Sequence, residues 1–159
     1  VTAGGEDIVT PDEGVGTPDH KKLAEYWFSR GWAGGDASIA GEIFSPDFVL
    51  NGRKVGPAGP QRSVAAVHSA FSDIEVELDL VLTDGPYVVT HYTTIARHTG
   101  NYRGVAASGR SINVSGIVIW QIGDGKVVRD WNSFDTAEVI AQITPPKDAS
   151  HDAFDDADK

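Results

Sequence analysis

Between residues 74 and 82 apolar and acidic side chains alternate, with Ile74, Val76, Leu78, Leu80 and Leu82 set against Glu75, Glu77 and Asp79. A period of two predicts a strand with one face buried and the other wet. Asp84-Gly85-Pro86 turns the chain into YVVTHYTTIAR at 87–97, a second strand rich in β-branched residues. A glycine-containing connection at 98–110 leads to SINVSGIVIWQI, which pairs with KVVRDWNSF across Gly123-Asp124-Gly125, a strong hairpin signal. Upstream the period lengthens. Thr17-Pro18-Asp19 starts a helix that presents Leu23, Tyr26, Trp27 and Phe28 and ends at Gly31. Asp36 caps a short second helix with Ile39, Ile43 and Phe44 inward, stopped by Ser45-Pro46. A brief strand, Phe48 to Leu50, precedes a proline-rich loop and a third helix carrying Val64, Val67 and Phe71. Asp135-Thr136 opens a closing helix with Val139, Ile140 and Ile143.

Helices followed by long antiparallel strands and a last helix give an α+β class, not an alternating βαβ chain. The expected architecture is a cone-shaped, curved antiparallel sheet wrapped around the N-terminal helices, enclosing a hollow. One domain fills 17–144, flanked by a disordered acidic tail at 1–16 and an acidic C-terminal tail at 145–159.

Composition narrows the functions. The chain of 159 residues is 40% apolar, enough for one core with a cavity. Its formal charge of −10 would repel a phosphate backbone, so nucleic acid is not an expected partner. Without cysteine there is no thiolate nucleophile or thiolate metal site, and no His or carboxylate cluster has metal-ligand spacing. The first residues carry no apolar run, and the expectation is a cytoplasmic protein with no membrane contact.

Three phrases, IFSPDFVLN at 43–51, HTGNYRGVAASGRSI at 98–112 and GIVIWQIGDGKVVRDWNSFDT at 116–136, resemble the SnoaL-like polyketide cyclases in order and spacing. The wider superfamily resembling ketosteroid isomerase, scytalone dehydratase and limonene epoxide hydrolase houses several chemistries in one cone. The resemblance implies ring closure of a polyketide by an intramolecular aldol step in secondary metabolism such as antibiotic biosynthesis. It uses an aspartate as acid/base and no metal or cofactor. A ketone already activates its neighbouring C–H, so the protein supplies a base, a donor for the oxyanion and a shape.

Carried over residue by residue, the resemblance places the acid/base aspartate at Asn132, an amide that cannot shuttle a proton but is a candidate substrate-binding residue, able to donate a hydrogen bond to an oxyanion or carbonyl. By the period of two, Val128, Asp130, Asn132 and Phe134 share a face, which makes Asp130 the remaining candidate carboxylate. The facing strand offers Gly116 and Val118 where the cyclases have polar partners. His91 and Thr93 fall where limonene epoxide hydrolase has a pocket arginine and carboxylate, making His91 the candidate second catalytic group. Asn51 matches a polar pocket position, although Asn51-Gly52 is equally a turn dipeptide. Tyr26, Trp27, Phe71 and Trp120, with Val118, are candidate walls for an apolar or aromatic substrate, core packing being the commoner use of each aromatic.

The leading expectation is a cofactor-independent cyclase or isomerase using Asp130 and His91. Epoxide opening by activated water is the enzymatic alternative. A non-catalytic small-molecule-binding module is the other. A homodimer is expected under all three, because apolar residues on the outer sheet face would otherwise meet water.

Overall fold

The computed structural model describes residues 17–146. The expectation for 1–16, and nearly all of that for 145–159, lies outside the described residues. Helix α1, Thr17–Tyr26, continues without interruption as a π-helical segment, Trp27–Ala33, past the expected stop at Gly31. It ends at Gly34-Gly35, where Gly35 takes a φ of 75°. Asp36 caps the next turn as expected, its side chain accepting from the Ser38 N–H at 3.2 Å. The segment Ala37–Ile39 and helix α2, Ala40–Ile43, lead into strand β1, Phe44–Leu50, which starts four residues earlier than the sequence suggests. Strand β2, Arg53–Lys54, helix α3, Ala58–Ala70, and strands β3, Phe71–Asp84, β4, Tyr87–His98, β5, Ser111–Gly123, and β6, Lys126–Phe134, follow, with helix α4, Thr136–Ile143, last. Phe71, expected on α3, opens β3 instead. Asp135 caps α4, accepting from the Glu138 N–H at 2.9 Å.

The strands form one curled, unclosed sheet in the order β2-β1-β6-β5-β4-β3. The long strands are antiparallel, but β1 lies parallel to β6, joined by the crossover through α3 and the β3–β5 meander. Two bulges change faces that a strict period of two would misassign. In β3 the register shifts between Leu78 and Leu80, so Asp79 is the extra residue and Leu80 and Leu82 point outward, 48% and 54% exposed. In β6 the pairing shifts at Val127, which is wholly buried, while the expected inward residue Val128 is not.

Asn51 and Gly52, at φ of 45° and 81°, make the tight β1–β2 turn. The Asn51 side chain then extends the sheet: its Nδ2 donates to the Asn132 carbonyl at 3.1 Å and its Oδ1 accepts from the Asn132 N–H at 2.9 Å. The amide is thereby committed to backbone, which corrects its expected role in holding substrate. Asn51→Ala is expected to lose about 2 kcal/mol of stability, from two hydrogen bonds and a left-handed backbone. Urea unfolding measures this, and a shift in midpoint indistinguishable from zero would contradict it.

The core divides in two. Trp27, Phe28, Phe44, Phe48, Tyr92, Val118 and Trp120 pack between the N-terminal helices and the concave sheet face. Phe71, Ala96, Ile112, Val114, Val139 and Ile143 pack under α4, and Phe134 touches both groups.

Candidate functional site

Side chains on the concave faces of β4, β5 and β6 stand in rows set by the ladder. Val88, Trp120 and Asp130 form one row, Thr90, Val118 and Asn132 the next, and Tyr92, Gly116 and Phe134 the third. Asp130 faces inward as its period suggests and is 6% exposed, the one buried carboxylate among the described residues. Its Oδ1 has no hydrogen-bond partner, and neither has the buried Trp120 Nε1 beside it. Burial disfavours the charged form and pushes the carboxyl up to about 7. The neighbouring Trp120 indole N–H pulls the other way while stopping short of a formed hydrogen bond. At neutral pH both protonation states are populated, as a group that takes and returns a proton requires.

Tyr92, which the sequence reading did not single out, lies on the same concave face at 2% exposure. Its ring meets Phe28 at 4.7 Å and stacks on Phe134 at 6.5 Å, 4° from parallel. Burial first, and the Asp130 charge second, push the phenol up to about 12, with the Asn132 side chain opposing. It therefore stays protonated and can donate. Gly116 is bare because the phenol lies over it: a Cβ there would fall 2.5 Å from Tyr92 Oη. The signal was present in the sequence as a glycine inside an otherwise β-branched strand, which marks a close approach of something above it.

Beyond Phe134 a cavity of about 20 Å³ is lined by Phe71, Thr94, Tyr102, Val139 and other apolar groups. Thr94 Oγ1 is buried without a partner there. Phe71 lines this cavity, whereas Asp130, Asn132, Val118 and Trp120 do not. Val118 and Trp120 belong to the concave face, at 2% and 1% exposure. Trp27 is spent on core packing, edge-on to Phe44 at 4.8 Å, and Tyr26, 39% exposed, forms no wall.

His91 and Thr93 are corrected outright, since they project from the convex face. His91 pairs across the ladder with the exposed Ile117, and its Nδ1 is 3.2 Å from Asp79 Oδ2. Thr93 donates to the same oxygen at 2.8 Å. Asp130 and His91 therefore stand on opposite sides of the sheet and cannot exchange a proton. Neither member of the pair aligned with limonene epoxide hydrolase is on the concave face. His98 is fully buried and structural, its Nδ1 accepting from the Ser108 N–H at 3.2 Å to pin the 99–110 connection. No group of three or more metal-ligating side chains occurs among the described residues.

A profile of the SnoaL-like polyketide cyclases matches residues 22–143, most of the chain. The chain belongs to this family. Solved structures agree on the fold of the SnoaL-like cyclases. TsrD from Streptomyces laurentii superposes with a TM-score of 0.74 at 24% identity, covering 81% of this chain and 97% of that one. AclR from Streptomyces galilaeus gives 0.73 at 22% identity, over 82% and 100%. A SnoaL-like polyketide cyclase from Agrobacterium tumefaciens gives 0.67 at 14% identity, over 78% and 97%. A search of curated proteins returns no match. In this SnoaL-like chain no described helix is long and apolar enough to cross a membrane.

Proposed function

We propose that this protein closes a ring on a neutral, largely apolar polyketide by an aldol step, with Asp130 as the acid/base group. The supporting observation is a carboxyl buried on the concave face among aromatic side chains, with one oxygen unpartnered and its ionisation poised near neutrality. The ionised Asp130 takes the proton from carbon next to a ketone, and the electron pair moves into the enolate. The enolate carbon attacks a second carbonyl of the same chain. The resulting alkoxide recovers the proton from Asp130. Neither a redox partner nor water is consumed, so product and substrate are isomers and no cofactor is required. The aromatic side chains near Asp130 favour conjugated chains over charged ones.

The experiment is incubation with a linear polyketide ester in H₂O, following ring closure at constant mass, with the ester also supplied deuterated at the activated carbon so that C–H cleavage shows as a slower turnover. Cyclisation at constant mass that fails in Asp130→Asn supports the reading, and equal turnover by Asp130→Asn overturns it.

A second copy of the chain is the expected partner. Leu82, Val89, Ile119 and Trp131 form one outward row across four strands, and Leu80 and Ile117 extend it into the next. Such a contiguous apolar band suits a self-complementary interface. Ile119→Glu is expected to convert a dimer to a monomer in light scattering, and an unchanged mass would count against this face.

A further inference from the structure

Helix α1 runs without a break into the π-helical segment Trp27–Ala33, and the change of pitch decides where Trp32 lies. In an α-helix residues five apart are separated by about 140° around the axis, whereas the i→i+5 bonds of a π-helix bring them back nearly one above the other. Trp27 is buried in the core, so Trp32 is turned inward with it, packs against the same core and lines the cavity beside α4. We infer that this cavity is a binding site for the end of a neutral, oxygen-bearing apolar molecule such as a methyl ketone, whose oxygen accepts hydrogen bonds from the Trp32 indole N–H and the Thr94 hydroxyl. Asp130 does not line the cavity, so the site goes beyond the catalytic reading and stands without it.

Two of the residues lining this cavity carry a buried polar atom with no partner among the described residues, Nε1 of Trp32 and Oγ1 of Thr94. One comes from the helical layer and the other from the concave face of β4. Thr94 is 4% exposed and its ladder neighbours are Val76 and Val114, so nothing beside it satisfies the hydroxyl. A buried N–H or O–H left unpaired costs stability, and an arriving oxygen that accepts from it recovers that loss on binding. The indole can only donate and the hydroxyl can donate or accept, so the complementary group is an oxygen with free lone pairs. Among the described residues no lysine, arginine or histidine lines the cavity, and a carboxylate would enter it without a counter-charge. A volume of about 20 Å³ admits one small group, since a water needs roughly 10–15 Å³, and the cavity therefore takes the end of a longer molecule. The π-helical segment is tied down where it ends: His68 Nε2 on α3 donates to the Trp32 carbonyl at 2.8 Å. Tyr102, edge-on to Phe71 at 5.1 Å, forms the wall on the side of the 99–110 connection.

The test follows the Trp32 indole N–H by ¹H–¹⁵N NMR, assigned from the backbone, during titration with 2-hexanone and with 2-methyl-1-hexene, in which C=CH₂ replaces C=O. The ketone should move the Trp32 signal downfield in a saturable way and leave the signal of Trp120, beside Asp130, in place. The alkene should bind without the downfield shift. Thr94→Val, which keeps the branched shape, should weaken the ketone about 3- to 10-fold, the range of one neutral hydrogen bond, and leave the alkene unchanged. Hexanoate, ionised at neutral pH, should bind more weakly than the ketone. The Trp32 signal is read in the unaltered protein, so the inference stays testable if Thr94→Val fails to fold. No saturable Trp32 shift, as when the cavity holds water only, overturns the inference. An unchanged ketone affinity in Thr94→Val, or hexanoate binding as tight as the ketone, overturns it too. A shift of Trp120 alone removes this site and leaves the acid/base reading of Asp130 standing, whereas equal turnover by Asp130→Asn with the Trp32 shift intact removes that reading and keeps the site.

Discussion

Asp130→Asn is expected to lower the rate of ring closure by roughly 10²- to 10⁴-fold, the usual contribution of positioned acid/base catalysis. The substitution preserves shape and removes only the capacity to take a proton. His91→Ala should leave the rate unchanged, since the imidazole lies on the other side of the sheet beside Asp79. In the wild type the rate should rise with pH through about 7, following ionisation of the buried carboxyl. Steady-state rates for the two variants, and a wild-type pH profile, check these outcomes together. A large loss in His91→Ala, or a profile flat from pH 5 to 9, would contradict the assignment.

The same carboxyl should make folding stability depend on pH in the unusual direction. In the unfolded chain it ionises near its ordinary 3.8, whereas in the fold it keeps its proton up to about 7. Between those values the native state holds the extra proton, so the free energy of unfolding falls as pH rises. The loss is complete above about 7 and amounts to something on the order of 4 kcal/mol from this one group. Asp36 works the other way, held below the usual carboxylate range by Ser38 and Arg30, but it is only half-buried and common to every variant. Asp130→Asn should flatten the dependence and raise the melting temperature at pH 8. Denaturant titrations at pH 4.5 and pH 8 measure it, and equal pH dependence in wild type and variant would contradict the buried charge.

The elements that hydrophobic periodicity and turn residues specify locally could be read directly. The Gly123-Asp124-Gly125 hairpin, the Asp36 and Asp135 caps and the inward set Asp130, Asn132 and Phe134 all follow from local rules. Strand β4 could not be read in this way. Its two faces carry Val88, Thr90 and Thr94 against Val89, Thr93 and Ile95, so β-branched residues on both sides hide which parity is buried. The likeness to limonene epoxide hydrolase puts His91 and Thr93 inward, and nothing in this local pattern corrects it in favour of Tyr92. The bulge at Asp79 was hidden because the alternation in β3 runs on through it, although its lower half faces outward. Asn51 was legible as a turn but not as the side chain that splices β1 to β6, a contact between residues distant in sequence.

The most direct measurement is the titration of the Asp130 carboxyl carbon by ¹³C NMR, assigned by its absence in Asp130→Asn. A midpoint near 7, moving when Trp120 is altered, is the result expected of a sequestered proton carrier. A midpoint near the ~3.9 of a solvated aspartate would contradict it.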